Sequence, residues 1–223
     1  DQYIEWYINL SKESLRVLKD DGNMFLINYP KQNAYLRVKY LDQACYEVLD
    51  YSWVYNTNIG HSPKRFTTAH RSILHCRKTE NNKFYKENVA VPYQNPTDRR
   101  IKQNISKGSP GRMPYDWFYF DLVKNVSREK TFHACQIPQE LAELLIKAST
   151  MPGNAVLVHF GGSGSELEVC KRLGRNFISA EIDEKYYQMI IDRLESGELN
   201  QKYRLVYKEE ENQAVQLRIC DKE

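Results

Sequence analysis

The strongest constraint on the fold lies between residues 155 and 181. An apolar run at 155–160 predicts a strand, and it leads into Gly161-Gly162-Ser163-Gly164. A helical pattern at 166–173 and a second strand pattern at 176–181 follow. Glycine permits sharp turns and lets a ligand approach the backbone, because it has no Cβ atom. The stretch therefore predicts a βαβ unit with a parallel sheet and a ligand-binding turn after its first strand.

Glu181 adds a chemical group to this turn. A carboxylate at the end of the second strand can accept hydrogen bonds from both ribose hydroxyls of an adenosine that lies across the turn. Leu167 holds the place of the third glycine of a dinucleotide fingerprint, so a pyrophosphate site is disfavoured. The alternative is a tight strand–helix turn followed by an acid that only caps the next helix.

Regular patterns continue on both sides of this unit. Upstream, apolar spacing predicts helices at 3–19, 32–49 and 138–149 and strands at 24–28, 51–56 and 72–77. Downstream, it predicts a helix at 184–195 and a terminal hairpin of strands at 203–208 and 214–220. The succession of helices and strands indicates an α/β fold.

Positive charge is concentrated in one quarter of the chain. Residues 61–115 carry a net charge of +9, whereas the whole chain carries +3. Aromatic residues are interleaved with these cations, and prolines and glycines recur, which is typical of a loop-rich insertion that binds a polyanion. The alternative is a solvated charged face. The candidate nucleic-acid contacts are Lys64, Arg65, Arg71, Arg99, Arg100, Lys102, Lys107 and Arg112.

Composition disfavours other classes of protein. Apolar residues form 41% of the chain, which excludes a disordered chain. No apolar run approaches the roughly 20 residues of a membrane helix, and the N-terminus lacks the pattern of a signal peptide. The cysteines are scattered without a C-x-x-C pair, so we expect reduced thiols and no metal site.

Several sequence blocks follow one another in the order of a known family. The first is Arg16-Val17-Leu18-Lys19-Asp20-Asp21-Gly22, and the second is His133-Ala134-Cys135-Gln136-Ile137-Pro138. The turn itself is Val158-His159-Phe160-Gly161-Gly162-Ser163-Gly164-Ser165, and Leu173-Gly174-Arg175-Asn176-Phe177-Ile178 leads to Glu181. These blocks resemble those of S-adenosylmethionine-dependent DNA amino-methyltransferases with the permuted β arrangement. The match covers residues 1–55 and 115–195.

The resemblance implies a Rossmann-like methyltransferase sheet with helices on both faces and a basic, loop-rich target-recognition insertion. Residues 1–60 would follow the family's catalytic loop, residues 61–115 would form the insertion, and residues 116–223 would bind the cofactor. Tyr55 and Asn56 lie where the family lines its base pocket, with the end of a core strand as the alternative. The residues implied to hold S-adenosyl-L-methionine are His133, Cys135, Gln136, Pro138, Phe160, Gly161, Gly162, Ser163, Gly164 and Glu181.

The sequence departs from the family at the site. Val158-His159 replaces the family's Asp-Pro, which removes a carboxylate near the methionine end of the cofactor. His159 is either a ligand contact or a histidine satisfied within the turn. The upstream block also differs, because Ala134 and Ile137 replace a proline and a lysine. We expect these changes to affect cofactor affinity more than the fold.

The family's catalytic loop, Asp/Asn/Ser-Pro-Pro-Tyr/Phe, is not found in the sequence. Val91-Pro92-Tyr93 and Met113-Pro114-Tyr115 are its nearest counterparts, and neither has the paired prolines. We therefore expect no catalytic residue in this chain. Cofactor and DNA should bind without efficient methyl transfer, and an upstream segment or a second chain should supply the loop and a central strand.

The resemblance implies methyl transfer to an exocyclic amino group of a flipped base in double-stranded DNA, with adenine N6 favoured over cytosine N4. It also implies a cytoplasmic, restriction–modification setting in a bacterial, archaeal or phage system, with no membrane or metal partner. One alternative is an inactive homologue that binds DNA or a partner subunit. Another is an RNA methyltransferase, and a homodimer is a further alternative for the assembly.

Overall fold

Two β-sheets and the helices packed on them make up the fold. The computed structural model describes residues 2–56, 63–123, 130–133 and 135–204. The strands are β1 (Asn23–Asn28), β2 (Glu47–Val54), β3 (His70–Arg77), β4 (Trp117–Tyr119), β5 (Ala155–Val158) and β6 (Asn176–Ser179). The helices are α1 (Gln2–Val17), α2 (Pro30–Leu36), α3 (Asp42–Ala44), α4 (Arg99–Ser106), α5 (Gln139–Ser149), α6 (Ser165–Arg172) and α7 (Glu184–Ser196). Short 3₁₀ turns lie at Lys86–Asn88 and Gln201–Tyr203, and a π-helical turn at Arg37–Leu41 joins α2 to α3.

The larger sheet has the strand order β1-β3-β2-β4. β3 runs antiparallel to β1 and to β2, while β4 runs parallel to β2. β1, β2 and β4 consequently point in the same direction, and their carboxyl ends share one edge of the sheet. β3 lies between two partners, which accounts for its almost continuous run of buried residues from Ser72 to Cys76.

Helices cover both faces of the larger sheet, because alternate strand residues point to opposite sides. Met24 and Leu26 of β1 belong to a core cluster that also contains Tyr7 and Leu15 of α1 and Leu36 of α2. The intervening β1 residues Phe25 and Ile27 pack on the other side, in a cluster built around α5.

Helix α5 joins the two sheets. Its residues Leu141 and Leu145 pack with Trp53 and Ile73 of the larger sheet. Two other α5 residues, Ala142 and Ile146, pack with α6 and the smaller sheet. One amphipathic helix thus places the smaller sheet beside the larger one.

The smaller sheet is the parallel pair β5–β6. Its inward residues Val156 and Phe177 pack in the core cluster of α5 and α6. On the opposite face, Leu157 is 47% exposed and Ile178 is 69% exposed. Within the part of the chain that the structure describes, no strand pairs with the second edge of β5 or of β1. Among the described residues, both outer edges of the smaller sheet are therefore unpaired and one apolar face is uncovered.

The predicted Rossmann-like α/β fold with a parallel βαβ unit is confirmed, and β5, α6, β6 and α7 lie within two residues of their predicted bounds. Other predictions were wrong. The helix predicted at 32–49 ends at Ala44, because β2 already begins at Glu47. The insertion also contains α4, and β4 follows it; neither was predicted.

The structure bears on two predictions of chain organisation, the extent of the insertion and the C-terminal hairpin. β3 belongs to the larger sheet although it falls within residues 61–115, so the loop-rich part of that segment begins after Arg77. At the C-terminus, residue 203 ends a 3₁₀ turn rather than beginning a strand. The remainder of the predicted hairpin, 205–223, lies outside the described residues. Among the helices described, none is long and apolar enough to cross a bilayer.

Candidate cofactor and nucleic-acid site

The glycine-rich turn leaves the carboxyl end of β5 and enters α6. The amide of Gly161 donates to the carbonyl of Ala180 (2.8 Å), and the amide of Gly164 donates back to the carbonyl of Gly161 (2.8 Å). Gly162 and Gly164 have φ values of +53° and +73°, a region that favours glycine. The turn is therefore short, and its backbone conformation requires the glycines found by the sequence pattern.

Glu181 braces this turn from the end of β6. One carboxylate oxygen accepts from the amide of Gly162 (2.7 Å), and the other accepts from the amides of Ile182 (2.9 Å) and Asp183 (3.0 Å). Burial opposes the charge on Glu181, but these amide hydrogen bonds outweigh it and lower the pKa of the carboxyl. Glu181 is consequently an ionised acceptor at neutral pH.

The cap of the following helix comes from another acid. Asp183 accepts from the amides of Lys185 (2.8 Å) and Tyr186 (3.1 Å), which are free donors in the first turn of α7. The alternative in which Glu181 merely caps α7 is therefore wrong.

His133 packs on the turn at Gly162. A Cβ atom added to Gly162 would lie 3.2 Å from Nε2 of His133, so the ring packs directly on the turn. Tyr186 contacts the same ring edge-on, at 4.7 Å between centroids. The Nδ1 atom of His133 is buried and lacks a hydrogen-bond partner among the described residues. Burial, together with the cation of Lys130, lowers the pKa of His133.

Arg193 of α7 contacts the turn through the backbone of Ser163. Sequence analysis did not identify this residue. Its side chain is buried, donates from Nη1 to the carbonyl of Ser163 (3.0 Å) and forms an ion pair with Glu168. The only sequence signal was a cation on the apolar face of α7, beside the buried Met189 and Ile190.

The other predicted cofactor residues divide into two groups. Phe160 is exposed at the start of the turn, and Cys135 is exposed beside His133. Gln136, Pro138 and Ser163 are buried. Gln136 accepts from Thr131, and the hydroxyl of Ser163 meets that of Ser165 at 2.8 Å. The three buried residues therefore support the site and do not lie on its surface.

These groups fit an adenosine-containing ligand. Glu181 accepts three amide hydrogen bonds and so keeps one of its roughly four acceptor positions. The buried Nδ1 of His133 has no hydrogen-bond partner in the described part of the chain. Gly162 is itself buried, with its amide bonded to Glu181 and the His133 ring packed against it, so it shapes the site and is not a free donor. Phe160 and the fully exposed Ile182 add apolar surface on either side of the turn. In the same described ranges, no group of three or more His, Cys, Asp or Glu side chains could hold a metal ion.

A second set of candidates lies at the carboxyl edge of the larger sheet. Tyr55 is 3% exposed, and its hydroxyl donates to the carbonyl of His70 (3.3 Å). Arg71 donates to the Tyr55 hydroxyl (2.5 Å) and stacks on the exposed Tyr29, 3.7 Å from its ring centroid. Asn56 is exposed beside them. Arg71 thus lies at the carboxyl edge of the larger sheet, on β3, and not on α4 of the basic insertion.

Helix α4 of the basic insertion carries a group of exposed cations. Arg99, Arg100 and Lys102 lie on this helix and Lys107 follows it; all four are exposed. Asp98 caps the helix by accepting from the amide of Arg100 (2.8 Å).

The remaining candidate cations lie on both sides of α4. Lys64 and Arg65 are exposed before β3. Arg112 stacks on Tyr115, 4.2 Å from its ring centroid, and its backbone pairs with Val91. The candidate cations therefore come from segments before and after α4 as well as from the helix itself.

Comparison with known proteins gives a consistent result. A family model described as DNA methylase, of the N6/N4 methyltransferase type, matches residues 1–192. The type II methyltransferase M.BglII of Bacillus subtilis is 28% identical over 213 residues, which cover 89% of this chain and 58% of that protein. The DNA adenine methyltransferase YhdJ of Escherichia coli K12 is 26% identical over 204 residues, covering 87% and 68%. This chain therefore spans less than two thirds of the length of M.BglII.

A solved structure supports the fold. The crystal structure of an M1.HpyAVI–SAM complex superposes with a TM-score of 0.62 at 23% identity, covering 86% of this chain and 82% of that one. At this identity the similarity concerns the fold alone.

Gly164 and Gly197 provide a matched test of how the turn packs. Both have a φ of +73°, but a Cβ atom on Gly164 would lie 3.2 Å from Ile190, whereas one on Gly197 would meet no atom within 4 Å. Gly197→Ala should lower the free energy of unfolding by about 1–2 kcal/mol, the cost of a left-handed alanine. Gly164→Ala should lower it further, because α7 must also shift. Urea unfolding measures both; equal losses would show that the turn does not depend on its contact with α7.

Proposed function

This chain belongs to the N6/N4 DNA methylase family, and on that basis we propose that it forms the cofactor-binding and DNA-recognition part of a DNA amino-methyltransferase. The proposed reaction transfers a methyl group from S-adenosyl-L-methionine to an exocyclic amino group of a base in double-stranded DNA. The observation that carries the proposal is the convergence of Gly162, Glu181 and His133 on one turn.

In the proposed site, Glu181 accepts from a ribose hydroxyl through its remaining acceptor position, and His133 offers its buried Nδ1 to a polar group of the cofactor. Phe160 and Ile182 provide apolar contact at the mouth of the site. The bound cofactor supplies an electrophilic methyl group. The contribution of this chain is orientation, because direct attack by an amino nitrogen needs mainly alignment of the reacting atoms.

The base is proposed to enter at the carboxyl edge of the larger sheet. Tyr55, Asn56 and the Arg71–Tyr29 stack lie there. A base-contacting loop of the family type is expected from a segment other than those described. The open edges of β1 and β5, with the exposed Leu157 and Ile178, support a further strand in this position. We propose that the loop and the strand come together in the active protein.

DNA is proposed to lie against α4. Arg99 and Arg100 occupy the first turn of this helix, where the helix dipole disfavours cations. Their position therefore costs helix stability, which supports a role in binding phosphates. Lys86 and Lys107 line a polar cavity of about 310 Å³ next to the same helix. Phosphate contacts would fix the register of the protein on the duplex, and a subset of arginines would read guanine.

We propose adenine N6 as the methylated position and a restriction–modification role, in keeping with the names of YhdJ, a DNA adenine methyltransferase, and of M.BglII, a type II methyltransferase. Nucleoside analysis of DNA modified by the full-length protein distinguishes N6-methyladenine from N4-methylcytosine. A second candidate is an inactive DNA-binding homologue, which Val158-His159 favours because the family's carboxylate is absent there. DNA binding without cofactor binding would identify that candidate.

Glu181→Ala tests the cofactor assignment. The variant should weaken S-adenosylmethionine binding by about 1.5–3 kcal/mol, the range for hydrogen bonds to a charged group. Isothermal titration calorimetry measures the change, and Glu181→Gln should lose less because it keeps one carbonyl acceptor. Glu184→Ala, an exposed acid on α7, is the matched control and should bind normally. Wild-type affinity of Glu181→Ala would exclude Glu181 from the cofactor site.

Neutralising Arg99 and Arg100 together tests the DNA-facing surface. Log K for duplex DNA should fall with log salt at a slope near −0.9 per phosphate contact, so the double variant should flatten the slope by up to about two units. The control pair is Lys19 with Lys185, both exposed outside the insertion. Arg193 is unsuitable as a control, because it is buried in an ion pair.

The result would contradict a DNA-facing α4 if the control pair changed the slope and the Arg99/Arg100 pair did not. A guanine-reading arginine would instead relax specificity at one base pair by about 1–3 kcal/mol.

A further inference from the structure

Two buried serines on α1 differ in a single contact. Ser11 donates its hydroxyl to the carbonyl of Tyr7 (2.8 Å), and Ser14 donates its hydroxyl to the carbonyl of Leu10 (2.7 Å). Ser14 additionally lies 2.8 Å from Nε2 of His159, 145 residues away in the sequence. This bond joins α1 to the residue immediately before the cofactor turn.

The proton positions in this contact follow from the number of hydrogens that each group can donate. A hydroxyl has one hydrogen to donate, and that of Ser14 is directed to Leu10. With that assignment the Ser14 oxygen accepts from His159, which places a proton on Nε2. In the neutral ring, Nδ1 then carries a lone pair. Ser14 thus selects one tautomer of His159.

A second contact reinforces the same junction. Trp6 of α1 lies 6.0 Å from Phe160, measured between ring centroids. Helix α1 therefore touches two consecutive residues, His159 and Phe160, directly ahead of Gly161-Gly162. A shift of α1 would move the start of the turn.

The charge state of His159 is governed by its surroundings. Burial lowers the pKa of His159, so the neutral ring is favoured at neutral pH. On α1, the charged residues that flank Ser14 in the sequence, Glu13 and Arg16, pair with each other. On the side of the turn, Glu181 is bonded to the amide of Gly162 and His133 packs on that glycine.

Two further groups near the turn have shifted pKa values. Burial raises the pKa of Glu166, in the first turn of α6, to about 7. The pKa of His133 is lowered from its usual value by burial and by Lys130. A test of His159 must therefore separate it from both.

We propose that His159 is a positioning residue that holds the cofactor turn against α1, and that a proton added to its ring disfavours S-adenosylmethionine more than S-adenosylhomocysteine. This inference rests on the proposed function of the turn. S-adenosylmethionine carries a sulfonium charge that S-adenosylhomocysteine lacks, so an additional cation beside the turn repels it more strongly. The family's Asp-Pro offers no titrating imidazole here, so this pH dependence belongs to the present chain.

The charge arm of the test compares the affinities of the two ligands across pH. In Glu166→Gln, which removes the carboxyl group that titrates near pH 7, the ratio of their dissociation constants should be constant above about pH 6.5, the ordinary pKa of histidine. It should turn against S-adenosylmethionine as the pH falls through the lowered pKa of His159. His159→Gln keeps a donor for Ser14 but does not titrate, so its ratio should depend less on pH. His133→Gln and Glu166→Gln should retain the His159 component.

The positioning arm uses the two serines. Ser14→Ala should weaken both ligands by about two- to ten-fold, the range for one net hydrogen bond. Ser11→Ala loses the same bond within the helix but no contact to the turn, so its binding should be unchanged. Nitrogen-15 NMR of the His159 ring should report the Nε2–H tautomer in the wild-type chain and in Ser11→Ala, and a mixture in Ser14→Ala.

Three results would overturn the inference. They are an unchanged pH dependence in His159→Gln, equal effects of Ser11→Ala and Ser14→Ala, and an Nδ1–H tautomer in the wild-type chain. If neither ligand bound at any pH, the proposed function would fail together with the charge arm. Binding with a pH-insensitive ratio would remove the inference and leave the proposed function intact.

Discussion

The glycine-rich turn keeps its shape because a buried arginine holds it to three helices. Arg193 donates to the carbonyl of Ser163 and pairs with Glu168, which also accepts from Gln139 of α5 (2.8 Å). Removing one partner from such a pair leaves an uncompensated buried charge, which is strongly destabilising. The network ties α5, α6 and α7 to the turn, and the site depends on this support.

A rigid turn allows the surrounding groups to act as a site. Glu181 contacts it through the amide of Gly162, while His133 packs on the same glycine from the other side. Across the molecule, α1 reaches the turn through Ser14 and Trp6. The departure from the family at His159 therefore has a structural counterpart, because Ser14 gives the imidazole a defined partner. A histidine satisfied by hydrogen bonding and one that influences the ligand are compatible in this arrangement.

The sequence predicted the parts of the fold that are encoded locally. The βαβ unit was placed accurately because apolar runs, glycines and an acid follow one another within it. Helix α4 was missed because its apolar pattern is limited to Ile101 and Ile105, and none of its residues is buried. A second local signal was Asp98, an N-cap residue preceding two arginines. The overlong second helix arose because the pattern at 32–49 contains no glycine or proline to mark the change to β2.

The candidate site was predictable only where its residues are close together in the sequence or belong to the blocks of the resemblance. The turn and Glu181 stand close together in sequence, and His133 was found through the resemblance. Arg193 is 30 residues from its partner Ser163, and Ser14 is 145 residues from its partner His159. No local sequence pattern encodes either contact. Arg71 was assigned to the basic insertion from its charge, but its stacking on Tyr29 places it at the carboxyl edge of the larger sheet.

Hydrogen–deuterium exchange with and without S-adenosylmethionine tests the central claim most directly, namely that the turn, His133 and the Glu181 segment form one cofactor site. Amides at 161–164, 181–183 and 131–133 should exchange more slowly with the cofactor, because a ligand bridging them suppresses local opening. Exchange in α4 should be unchanged. Protection confined to a different part of the chain, or none at saturating cofactor, would contradict the claim.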